Sequence, residues 1–208
     1  MLSDHWRRAP VDAVLYLHGF NSGSESPKAR LMRAACRRVT HEGKPLACST
    51  PQLPHRPRAA LETARLALEA LGSNTLLVGS SMGGFLASCL AERFDLAAAV
   101  INPAVQPARL VDGWMGTDLV NDYTGERFTI EAAHRDELAS LVPARLNPQR
   151  YLLLLGTADE TLDCRDAFEA YAGCRTLIEP GGDHGFDRLA DYLPAVLAQG
   201  GHRLERAP

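Results

Sequence analysis

Four short apolar runs constrain this chain more than any other feature. They are Ala13–Leu17, Asn74–Gly79, Leu96–Asn102 and Arg150–Gly156, and each closes on a glycine or on Asn102-Pro103. A strand with one wet face alternates apolar and polar residues. These runs do not alternate, so both faces must be covered, as in a parallel sheet. Segments of helical pattern lie between them. Ser26-Pro27 reads as an N-cap followed by a first-turn proline, and the apolar face of Ala29, Leu31, Met32, Ala35, Cys36 and Val39 predicts a helix over Lys28–Thr40. Further helices are predicted over Arg58–Leu71, with Gly72 as the stop, and over Phe85–Phe94, Cys164–Ala172 and Asp187–Leu197. Shorter strands are predicted within Leu46–Leu53 and at Arg175–Glu179.

Strands and helices in alternation predict an α/β fold, a mostly parallel sheet with helices on both faces. Ligands in such sheets bind at the carboxyl ends of the strands. The 208 residues suit one domain, 1–208, with 104–148 as an irregular excursion or minimal lid over the site. The polar tail after Gly200 is predicted to fray.

Composition narrows the functional classes. With 46% hydrophobic and 23% charged residues the chain is not disordered, and a net charge of −3 gives no footprint for nucleic acid or an anionic membrane. Met1–Pro10 lacks the apolar stretch of an export signal, and no run is long enough to span a bilayer. Cys36, Cys48, Cys89, Cys164 and Cys174 are scattered and odd in number. They read as reduced thiols of a cytoplasmic protein, packed as small hydrophobes. Neither H-E-x-x-H nor CxxC occurs, so no metal or cofactor is expected.

The chemistry-bearing motif is Gly79-Ser80-Ser81-Met82-Gly83, set between an apolar strand and a helix. This is the G-x-S-x-G context in which a serine is lifted on a tight strand-to-helix turn. Side chains two positions either side of Ser81 would collide, and glycine removes them. The helix beginning near Met82 also offers unpaired N–H groups to a developing negative charge.

A nucleophilic serine needs a base. Of seven histidines, His184 sits in PGGDHGF, after the last strand and before the last helix, between glycines. His134, in the excursion, is the other candidate. His202 lies in the tail, and His18 reads as structural beneath the loop after the first strand. The base needs an orienting acid at the end of Tyr151–Leu155. Asp159 is nearest. Asp163 competes but also reads as the N-cap of the next helix, and Glu160 ranks third. The order Ser81, Asp159, His184 is that of α/β-hydrolases. An oxyanion hole would take one N–H from Met82 and another from His18-Gly19-Phe20-Asn21, with Phe20 as donor and Asn21 as alternative. Phe20, Met82, Trp114, Met115 and Tyr123 could shape an acyl pocket, though core packing is the more ordinary role for most of them.

LYLHGFNSGSESPKA (Leu15–Ala29), VGSSMGGFLA (Val78–Ala87), INPAVQP (Ile101–Pro107), NDYTGERF (Asn121–Phe128), GTADETLD (Gly156–Asp163) and GGDHGF (Gly181–Phe186) together resemble the YqiA-like esterases, small bacterial α/β-hydrolases. The resemblance runs over roughly residues 12 to 197, with Met82 where the family often has Leu. It implies an esterase on short acyl esters, extending to acyl-CoA thioesters, with Ser81, Asp159 and His184 as nucleophile, acid and base. The expected partner is a small ester or thioester, with no nucleic acid and no membrane. The alternatives are another acyl hydrolase (a thioesterase or peptidase) and a silent hydrolase fold used for binding.

Overall fold

The computed structural model describes residues 9–204. In chain order its elements are β1 (Ala13–Leu17), α1 (Pro27–Arg37), β2 (Thr40–His41), β3 (Lys44–Pro45), β4 (Ala47–Ser49), α2 (Pro57–Leu71), β5 (Thr75–Ser80), α3 (Met82–Phe94), β6 (Ala98–Ile101), α4 (Ala108–Val111), β7 (Asp118–Val120), β8 (Arg127–Thr129), α5 (Ala132–Leu141), β9 (Tyr151–Gly156), α6 (Cys164–Ala170), β10 (Arg175–Glu179) and α7 (Leu189–Gln199). Six strands form one sheet in the order β10-β9-β6-β5-β1-β4. Every pairing in that sheet is parallel.

The four apolar runs contain its inner strands β1, β5, β6 and β9, which are buried along their whole length. Alternate residues feed two cores. Leu15, Leu17, Leu77, Val100, Leu153 and Leu155 pack under α2 and α3, whereas Val14, Tyr16, Leu76, Val78, Leu152 and Leu154 pack under α1 and α7. Each fully buried side chain of this size contributes about 1.5–3 kcal/mol relative to exposure. Helices cover both faces, which is why no strand could afford a polar stripe.

The sheet order also fixes where a ligand can sit. From β1 the chain crosses through α1 to β4 on one side, and from β5 it crosses through α3 to β6 on the other. The connections diverge between β1 and β5, leaving a crevice at their carboxyl ends. His18–Asn21 and Ser81 both lie there.

Several expectations require correction. Helix α1 ends at Arg37, not Thr40, because Thr40–His41 pairs antiparallel with Lys44–Pro45 across a two-residue turn. Glu42 and Gly43 both take positive φ, 49° and 79°, the primed-turn geometry that short hairpins favour. Helix α3 starts three residues earlier than Phe85, directly after Ser81. The tail after Gly200 does not fray at once. His202 is buried, its N–H donates to Leu197 O, and its Nε2 bonds Val11 O at 2.7 Å. Residues 205–208 lie outside the described residues, as do 1–8, on which most of the export-signal reading rests. The excursion contains an unforeseen antiparallel hairpin, β7 with β8, followed by α5. All five cysteines are free, but only Cys36 is fully buried. Among the described residues no helix is long and apolar enough to cross a membrane.

Candidate active site

Ser81 joins β5 to α3 with φ 56° and ψ −121°, a conformation that L residues rarely adopt. The turn closes through Ser81 N–H to Ile101 O at 2.9 Å and Gly84 N–H to Ser81 O at 2.9 Å. It needs its glycines. A Cβ on Gly79 would lie 2.2 Å from Gly83 O, and one on Gly83 would lie 2.0 Å from Leu17 O. Backbone is the obstacle in both cases, so no rotamer change would relieve it. Met82 and Gly83 open α3, where N–H groups have no preceding helical acceptor.

The structure brings Ser81, His184 and Asp159 together. His184 Nε2 lies 3.0 Å from Ser81 Oγ, and His184 Nδ1 lies 2.8 Å from Asp159 Oδ2. The Asp159 side chain is 2% exposed and that of His184 is 22% exposed. Asp159 Oδ1 accepts the N–H groups of Thr161 at 2.9 Å and Leu162 at 2.8 Å, so both carboxylate oxygens are engaged. That arrangement points Nδ1–H at the Asp159 carboxylate and leaves Nε2 as an acceptor facing Ser81 Oγ. Asp163 caps α6 through Arg165 N–H at 2.9 Å, and the Arg165 guanidinium lowers its pKa to about 2. Glu160 accepts His184 N–H at 3.0 Å, a bond that holds its carboxyl below the ordinary range.

The other histidines have different tasks. His18 donates from Nδ1 to Gly19 O at 2.8 Å and accepts Leu53 N–H on Nε2 at 3.0 Å. Burial pushes its pKa down, consistent with a neutral ring used in that way. His134 is occupied by Glu131 N–H on Nδ1 at 3.0 Å and by His55 Nδ1 at 2.9 Å from Nε2. Burial lowers its pKa as well.

Two residues that sequence reasoning passed over hold the His184 loop in place. Asn102, at the end of β6, is buried with φ 40°. Its Oδ1 accepts Gly156 N–H at 2.8 Å, at the end of the acid strand. Its Nδ2 donates to Asp183 O at 2.9 Å and His184 O at 3.3 Å. One amide thus ties the end of β9 to the His184 loop. The available signal was an asparagine at a buried strand end, a residue that tolerates positive φ and brings both a donor and an acceptor. Lys28 of α1 donates from Nζ to Gly185 O at 2.5 Å, and burial lowers its pKa.

Ser81, His184, Phe20 and Met82 line one cavity of about 1030 Å³. Leu86, Pro107, Val111, Leu119, Ile130 and Leu138 supply much of its apolar wall. Of the expected pocket residues, Phe20, Met82, Trp114 and Tyr123 line it. Core packing, the ordinary role, fails for Phe20, Trp114, Met115 and Tyr123, which are all exposed.

Residues 13–199 match the model of a family described as "Uncharacterised protein family (UPF0227)". Among solved structures, α/β-hydrolase domain-containing protein 10 from mouse is 15% identical with a TM-score of 0.66, over 92% of each chain. The monoacylglycerol lipase of Paleococcus ferrophilus is 15% identical with a TM-score of 0.64, covering 92% of this chain and 98% of that one. The esterase domain of a Rhodothermus marinus protein is 22% identical with a TM-score of 0.62, covering 92% of this chain and 86% of that one. Likeness at these identities shows a shared fold, the α/β-hydrolase fold.

Proposed function

The chain belongs to the UPF0227 family, and with that membership as premise we propose that it is a serine hydrolase of carboxylic esters working through Ser81, His184 and Asp159. The observation that carries the proposal is the unbroken pair of contacts from Ser81 Oγ to His184 Nε2 at 3.0 Å and from His184 Nδ1 to Asp159 Oδ2 at 2.8 Å.

The reaction follows from those atoms. Ser81 Oγ attacks the ester carbonyl carbon while its proton passes to His184 Nε2. Asp159 holds the ring and stabilises the imidazolium. The carbonyl oxygen becomes an oxyanion, received by the backbone N–H groups of Phe20 and Met82. One such donor typically lowers the barrier by about 2.7–4 kcal/mol. Collapse of the tetrahedral intermediate breaks the carbonyl–oxygen bond, and His184 gives its proton to the departing alcohol. Water then attacks the acyl-serine, losing its proton to His184, and the acid leaves as Ser81 is restored.

The cavity lies at the upper end of the roughly 300–1,000 Å³ range of small-molecule sites, room for both an acyl chain and an alcohol. Residues of the 104–148 segment, among them Pro107, Val111 and Leu119, form part of its wall. A fluorophosphonate probe and a panel of p-nitrophenyl esters of graded chain length test the proposal. Labelling and turnover are expected in the wild type and at background in Ser81→Ala. A folded wild type that neither labels nor turns over any ester would overturn it in favour of a binding role. Matched acyl-CoA substrates, run beside the esters, separate esterase from thioesterase.

A further inference from the structure

The loop that follows β1 carries the expected oxyanion donor, and at its far end Arg33 of α1 donates from Nη1 to Ser24 O at 2.7 Å. Residues 20–23, nearer that donor, meet the β7–β8 hairpin of the excursion, about a hundred residues away in the chain. Asn21 Nδ2 donates to Val120 O at 3.1 Å, and Asn121 Nδ2 donates back to Ser22 O at 3.0 Å. The Tyr123 ring lies against Gly23, where an added Cβ would stand 2.4 Å from Tyr123 Cγ. The Phe20 ring meets Phe128 edge to face at 5.8 Å between centroids. Residues 20, 21, 22 and 23 each touch the hairpin in turn. On the opposite side Gln52 Nε2 donates to Ser22 O at 3.2 Å, and Gln52 Oε1 accepts Ser24 N–H at 2.9 Å.

The hairpin is itself fixed from behind. Phe128 stacks on His55 at 4.2 Å, and His55 bonds His134 of α5. Asn121 is the joint. It is buried, and its Oδ1 accepts the N–H groups of Tyr123 at 2.9 Å and Thr124 at 3.0 Å. Its backbone N–H bonds Glu126 O at 2.8 Å. The same side chain therefore shapes the hairpin turn with its oxygen and grips the loop with its nitrogen.

We propose that the β7–β8 hairpin positions the oxyanion loop for catalysis, with Asn121 as its positioning residue. The inference rests on the ester-hydrolase reading and deepens it. An oxyanion donor works only if it is already aimed when charge develops, because reorientation during the reaction cancels the gain. Asn21 sits at φ 51°, a left-handed turn position that asparagine tolerates, so the loop reverses direction there outside any helix or strand and depends on side-chain contacts to keep its aim. The hairpin supplies these at residues 20–23, Gln52 at Ser22 and Ser24, and Arg33 at Ser24 O.

Asn121→Asp keeps the oxygen that the turn uses and removes the N–H that grips Ser22 O. Phe128→Leu loosens the same loop from a position that does not line the cavity. Steady-state kinetics on the best p-nitrophenyl ester are combined with hydrogen exchange at the amides of residues 20–24. For Asn121→Asp, kcat is expected to fall about 10- to 100-fold with KM changed less than about 3-fold, and the loop amides to exchange faster. Phe128→Leu is expected to act in the same direction with a smaller loss. Unchanged exchange in both variants would overturn the proposal, as would kcat within about 3-fold of wild type in both. A rise in KM alone would overturn it too, by making the hairpin a substrate contact and not a brace. A wild type without turnover would refute the ester-hydrolase reading and this role together, whereas an active wild type with insensitive variants would refute this role alone.

Discussion

The two walls of the cavity are held by different means. On one wall Ser81, Asp159 and His184 stand at or beyond the ends of β5, β9 and β10. Strand spacing sets their separation, and buried Asn102 locks the end of β9 to the His184 loop. On the other wall the loop after β1 is held by side-chain amides and rings from a hairpin that pairs with no strand of the main sheet. A sheet transmits position through backbone ladders. A hairpin strap transmits it through a few side chains, any one of which can be removed without dismantling the core.

The sharpest way to break the comparison is at the acid. Asp159→Asn would still accept Thr161 and Leu162 N–H, but it presents an amide to His184 Nδ1 and so favours the wrong tautomer. Turnover should fall about 10⁴-fold with the fold intact. Asp163→Asn should leave turnover nearly unchanged, since asparagine still caps α6. Parallel kinetics and thermal melts on the pair decide the matter, and the reverse ranking would remove Asp159 from the triad.

Asn102→Ala comes next, because it strips buried partners from both the acid strand and the loop of the base. Leaving a buried donor or acceptor unpaired costs about 1–3 kcal/mol each. We expect a clear loss of Tm and a fall in kcat larger than that of Phe128→Leu. Retention of wild-type kcat in a folded Asn102→Ala protein would show that the loop of the base holds itself.

The smallest effect expected is a pH dependence confined to the second wall. Burial lowers the pKa of both His18 and His134 below the ordinary value of about 6.5. The unfolded chain therefore binds more protons than the folded one just below that pH. Their contribution to stability is full above about pH 6.5 and is lost as the pH falls through the folded values. Melts between pH 8 and 5 should show a declining Tm, with a shallower decline in His134→Gln. Equal slopes in the two proteins would refute a role for His134.

Sequence and structure agree best where the signal is periodic or steric. Ala13–Leu17 is β1 as predicted, and Pro57–Leu71 stops at Gly72. Asp163 and Ser26 cap their helices through side-chain oxygens, the local chemistry their residue types advertise. Agreement fails where a long-range contact overrides a local cue. His202 reads as part of a frayed tail, but its Nε2 bonds Val11 O in the interior. The stretch Asp122–Arg127 is polar and reads as irregular, yet Asn121 folds it into a turn and anchors it to Ser22.

By itself the sequence determined a parallel sheet with two covered faces, a serine on a tight turn between β5 and α3, and the chain order of serine, acid and histidine. Those properties are local or periodic, and burial, glycine sterics and strand-to-helix alternation write them into adjacent residues. Only the tertiary structure decided which carboxylate meets His184, that Asn102 joins the end of β9 to the His184 loop, and that Asn121 reaches across to the loop after β1. Each of those contacts joins groups far apart in the chain, and a hydrogen bond about 3 Å long depends on where whole elements pack.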